Sequence, residues 1–159
     1  MSLRISRNIE GSLVQFIEAQ LILDAWENIS VYKGFARAYS TPTPIITVRA
    51  SDSDHPQFEI GSNATVRETL VFIDVFGSNE GNRLDLKDWL VEVLKNGADY
   101  YAYTLTAGEV SSKVKDGKIS IVTMKDSPID FSTNKNELAT QDKYRWLVTL
   151  TVETGKIET

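Results

Sequence analysis

A chain of 159 residues is long enough for one domain with one real core. Its 42% hydrophobic and 25% charged residues are those of an ordinary globular protein, and no apolar run reaches the ~18 residues of a membrane span. The absence of cysteine excludes disulfides, thiolate catalysis and cysteine-ligated metal, the single histidine excludes a paired-histidine site, and the net charge of −5 disfavours broad adhesion to nucleic acid or anionic membrane.

The first predicted element is a helix from Asn8 to Trp26, "NIEGSLVQFIEAQLILDAW". Ile9, Leu13, Phe16, Ile17 and Leu21 recur at helical spacing, with Val14, Leu23 and Ala25 widening the stripe. Asn8 is placed to cap it, and Gly11 costs it roughly 1 kcal/mol against alanine. After "ISVYKGFARAY", Pro42 and Pro44 lead into a strand from Ile45 to Ala50. Residues 51–63 read as a polar loop with a short strand at Phe58–Ile60.

Thr65 to Phe76 is the strongest strand. Val71, Ile73 and Val75 point one way, and Leu70, Phe72 and Phe76 the other, as in a strand covered on both faces. A turn, "GSNEGN", precedes a helix from Asn82 to Lys95 with Leu86, Trp89, Leu90, Val93 and Leu94 on its core face, and Asn96-Gly97 ends it. Then come a short strand within "DYYAYTLTAG" and another at Lys118–Met124, introduced by the turn dipeptide Asp116-Gly117. Residues 126–141 form a long loop, and Tyr144–Glu153 is a final alternating strand. Consecutive strands favour hairpins over a doubly wound sheet. The expectation is a single α+β domain spanning 1–159, a mainly antiparallel sheet with two helices packed on one face.

Chemistry is sparse. Asp74 lies inside the central strand and raises the question of a general acid or base, but no local motif supplies a second group. The alternative is a strand residue capping a backbone group or pairing with an arginine. Asp52, Asp54 and His55 form an acidic cluster without the ligand spacing of a calcium loop, which makes solvated loop acids the better reading. "GSNEGN" matches neither phosphate-loop pattern, and no G-x-S-x-G elbow is present. The Tyr100–Tyr103 cluster has too little basic charge around it for a nucleic-acid platform, and reads as an edge strand or interface. Lys113, Lys115, Lys118 and Lys125 bracket a strand, where lysine discourages unwanted pairing. The reading is of a non-enzyme with no catalytic residue, cofactor or metal.

The order of these patterns resembles the tail terminator (tail completion) proteins of long-tailed bacteriophages and the related head–tail neck proteins. The likeness rests on "IEGSLVQFIEAQLILDAW", the Pro-led "TPTPIITVRA", the loop "HPQFEIGSN", the strand–helix run "TLVFIDVFGSN" to "GNRLDLKDWLVEVLKNG", and the late strands "KISIVTM" and "YRWLVTLTVE". The resemblance implies a virion assembly protein made in a host cytoplasm: a ring, commonly hexameric, that caps the tail tube and docks the head at the tail–head junction. Its partners would be further copies of itself, the tail tube protein and a head-completion or neck protein, with DNA passing through the lumen unread and no membrane involved. Heterologous ring contacts draw on strand edges and long loops. The interface residues expected are therefore Asp52, Asp54, His55, Phe58, Tyr100, Tyr101, Tyr103, Ile129, Phe131 and Asn134. The alternatives are a neck or connector adaptor, a tail tube protein, a small enzyme using Asp74, or a ligand-binding regulatory domain.

Overall fold

The computed structural model describes residues 4–34, 38–57, 59–61, 63–130, 138 and 140–158. Its elements run α1 (Ile5–Leu23), β1 (Ser30–Lys33), β2 (Ile45–Asp54), β3 (Thr65–Phe76), α2 (Glu80–Leu94), β4 (Ala98–Thr106), β5 (Glu109–Ile129) and β6 (Arg145–Glu158). The strands form one sheet in the order β1-β2-β3-β6-β5-β4, antiparallel except for the parallel β1–β2 pair. This is the α+β arrangement expected, with both helices on one face.

Strand alternation builds the core. Val71, Ile73 and Val75 of β3 are fully buried beneath the helices, and the register aligns Val48, Ile73 and Val148 in one row across three strands. α1 adds Ile5, Ile9, Leu13, Ile17 and Leu21, and α2 adds Leu86, Leu90 and Leu94. A spacing of four advances a helical stripe by about 40° per step. The buried line of α1 therefore winds around the helix. Trp26 and Trp89 meet at 5.9 Å, and Trp89 Nε1 donates to Asp24 Oδ2 at 2.7 Å, which joins the end of α1 to α2.

Several boundaries depart from the sequence reading. α1 begins at Ile5, so Asn8 lies within it and is not its cap. It ends at Leu23 because Ala25 and Asn28 adopt positive φ of 58° and 60°, and Leu23 is exposed (74%) rather than part of the stripe. α2 starts at Glu80, where the Asn79 side chain accepts from Asn82 N at 2.9 Å. β2 continues through residues 51–54, and no strand forms at the described residues 59–61.

The largest difference concerns β4 and β5. Asp116-Gly117 does not turn the chain. Ala107 and Gly108 do, with positive φ of 53° and 83° between the paired residues Thr106 and Glu109. β5 then runs for 21 residues and changes partner midway, pairing β4 up to Ile119 and β6 from Ser120. Gly117, at φ 125°, lies in the half of the strand that pairs β4. The extension of β5 to Ile129 also converts the start of the expected 126–141 loop into strand.

Candidate functional site

The sheet face away from the helices carries Thr47 and Arg49 from β2, Leu70, Phe72, Asp74 and Phe76 from β3, and Arg145, Leu147, Thr149 and Thr151 from β6. At one end a small second core covers it. Ala38, Ile45 and Phe76 are fully buried there, and the Tyr39 ring meets Phe76 edge-on at 6.4 Å. Gln141 ties the segments together by donating to the carbonyls of Thr41 at 3.0 Å and Tyr39 at 3.4 Å.

Asp74 lies beneath this cover, fully buried. Arg145 donates to its Oδ1 from Nε at 3.0 Å and from the neighbouring guanidinium nitrogen at 2.9 Å. Arg49 Nε stands 3.9 Å from Oδ2. Asp142 lies 3.7 Å from Arg145 and accepts from the Tyr39 hydroxyl at 2.8 Å. Burial raises the Asp74 carboxyl above its ordinary value, while the two guanidiniums pull it back. The ion-pair partners of Asp74 among the described residues are thus arginines, and the arginine-pairing reading of this residue holds. Arg83 plays a parallel part beside it. It donates to Asp130 Oδ1 and to the Arg145 carbonyl, both at 3.2 Å, and to Glu80 at 2.7 Å, with its guanidinium over the Trp146 ring. Burial pulls Arg83 down, but its bonds to Glu80 and Asp130 outweigh this and hold it above its usual value. One side chain thereby joins the end of β5 to the start of β6.

The tyrosine cluster meets α1. Tyr100 is buried, and its hydroxyl accepts from Asn8 Nδ2 at 3.0 Å. Tyr101 N donates to Ser12 Oγ at 2.9 Å, and Tyr103 N to Asn8 Oδ1 at 3.3 Å. Tyr103 donates its hydroxyl to Gln15 at 3.0 Å. Two polar side chains one helical turn apart thus occupy backbone donors of β4 that a further strand would otherwise take. Gly11 permits the approach, since a Cβ there would lie 2.9 Å from the Tyr103 ring. Asn8 and Ser12 were missed as contact residues, although two polar groups at i, i+4 inside an apolar stripe are a readable signal. Ser12→Ala leaves the Tyr101 amide without its acceptor, and a loss of about 1–3 kcal/mol is expected. Denaturant unfolding checks the size, and faster hydrogen exchange at Tyr101 checks the place.

Of the other expected interface residues, Asp52, Asp54 and His55 are exposed at the end of β2, and Ile129 is half-buried at the end of β5. Phe58, Phe131 and Asn134 lie outside the described residues. Among the described residues no cluster of three or more His, Asp or Glu is arranged to hold a metal, and no helix is long and apolar enough to cross a membrane.

No family model matches the chain, and no curated protein matches it. Among solved structures it is similar to a chain of the "Virion of native gene transfer agent (GTA) particle", at 12% identity and a TM-score of 0.49, covering 99% of this chain and 100% of that one. A likeness this loose carries no weight for function.

Proposed function

We propose that this chain is a non-enzymatic virion assembly protein of the tail terminator kind, a ring subunit that caps a phage tail tube and offers the docking surface for the head. The ring, commonly of six copies, would meet the tail tube protein on one side and a head-completion or neck protein on the other, with DNA passing through unread. The sequence resemblance supports this reading. The observation that carries it is the sheet face opposite the helices, where Leu70, Phe72 and Leu147 are half-buried beside Arg49 and bear no helix among the described residues. A mixed apolar and charged face of this kind suits a protein neighbour. Asp52, Asp54, His55, Tyr101, Tyr103 and Ile129 are the further contact residues proposed, the two tyrosines lying on β4 beside α1 and not on this face. Tyr100 would act from beneath, by holding β4 against α1.

Electron microscopy of the purified protein, alone and mixed with tail tubes, tests the proposal. Rings or capped tube ends are the expected result. A protein that stays monomeric at high concentration and ignores tubes overturns it.

A further inference from the structure

Two stretches of opposite charge flank α1. Between Val110 and Lys118 the outer strand of the β4–β5 hairpin carries three lysines and one acid, with Lys115 paired to Asp99 at 3.1 Å, and between Ala50 and Val66 the chain carries three acids, one histidine and neither lysine nor arginine. The first half of α1 separates them: Glu10 accepts from Ala50 N at 2.8 Å, and Arg7 reaches the Gly108 carbonyl at the hairpin tip at 3.5 Å. Within one chain the stretches do not neutralise each other. Asp52, Asp54 and Glu59 make no ion pair among the described residues. The same holds for Lys113, whose ammonium rests over the Tyr101 ring, and for Lys118.

We infer that the β4–β5 hairpin of one copy docks on the acidic β2–β3 segment of a second copy, a contact that rests on the ring reading above and names its two surfaces. The hairpin is built to be met. Its residues 109–118 pair with β4 along one edge, and β6 takes up the strand only from Ser120, so their other edge forms no ladder among the described strands. Val110 and Val114 are 52% and 64% exposed on it, and Ile60 is fully exposed in the acidic segment. Apolar groups ringed by opposite charge are the composition of a specific protein contact. Lysine also selects the partner. Two hairpins brought edge to edge set the unpaired Lys113 and Lys118 against their like, whereas a hairpin brought to the acidic segment sets them against Asp52, Asp54 and Glu59, so the contact is head-to-tail. A head-to-tail contact whose rotation closes makes a ring.

Charge reversal tests this by sedimentation velocity over a concentration series. Lys113→Glu with Lys118→Glu, and separately Asp52→Lys with Asp54→Lys, are each expected to weaken self-association about tenfold or more, although they move the net charge in opposite directions. The four changes together leave the net charge unaltered and are expected to restore association. All four side chains are exposed, and unchanged thermal unfolding verifies the fold of each variant. Rings that form equally well in every variant, or a combined variant that stays as weak as its parents, overturn the inference and leave the ring reading standing. A wild-type chain that never associates, alone or on tubes, overturns both.

Discussion

Gly97→Ala is expected to lose about 3–5 kcal/mol of stability, close to the whole margin of a small domain. Gly97 follows α2 at φ 73°, where its amide donates to the Leu94 carbonyl at 2.9 Å. An L-residue in that region costs roughly 1–2 kcal/mol by itself. The larger cost is steric: a Cβ there would stand 2.1 Å from the Ile119 carbonyl oxygen. That oxygen is backbone, at the point where β5 leaves β4 for β6, so neither side can yield cheaply. Gly34 supplies the control. It has φ 63° with open space around it, so Gly34→Ala carries the conformational cost alone. Urea denaturation of the two variants separates the terms, and equal losses would show that the close approach of Gly97 to β5 has no energetic weight.

The second large effect is at Asp74. Asp74→Ala removes the buried acceptor of Arg145 and leaves a guanidinium facing a void, at a cost of about 3–5 kcal/mol. Asp74→Asn keeps an oxygen for Arg145 and is expected to lose only about 1–2 kcal/mol. The difference arises because burial already penalises the charge of this carboxylate more than Arg145 and Arg49 favour it. Its pKa is therefore higher in the folded chain than in the unfolded one. The stability that follows from this is fully present below the ordinary carboxylate range near 4, and is lost as pH rises through the raised value. An asparagine does not titrate, so wild type should lose stability relative to Asp74→Asn as pH increases from about 4 toward neutrality. A gap between the two that stays constant with pH would refute this account of the site.

Much of the fold was legible because periodicity survives tertiary context. The bounds of β3 match the sequence reading at both ends, since its Val-Phe-Ile alternation admits one register and burial on the helix face enforces it. Both helices were found for the same reason. The misplacements have physical causes as well. Asp116-Gly117 carries turn chemistry, but a single Gly at positive φ within a strand does not reverse it. The true turn uses Ala107, which local rules do not favour in a left-handed conformation, held between strands that are long enough to impose it. Asn8 looked like a cap because capping is its commonest helical use, whereas its partners are 92 and 95 residues away and no local rule can see them. The ionic centre was half visible: Asp74 stood out in an apolar strand, but Arg145 and Arg49 become its neighbours only through strand register. Arg83 was invisible, because its partners gather from α2, the end of β5 and the start of β6.

The grip of α1 on β4 has one further consequence. A row of vacant amides at the rim of a sheet invites any extended polypeptide nearby to add itself, and a cell translating many copies of one chain is crowded with such segments. Here Asn8 and Ser12 occupy that rim as a counterfeit strand from within the same molecule. Protection acquired this way covers the amides of Tyr101 and Tyr103 as the helix docks, and replacing both residues with alanine is expected to raise the tendency of the chain to aggregate.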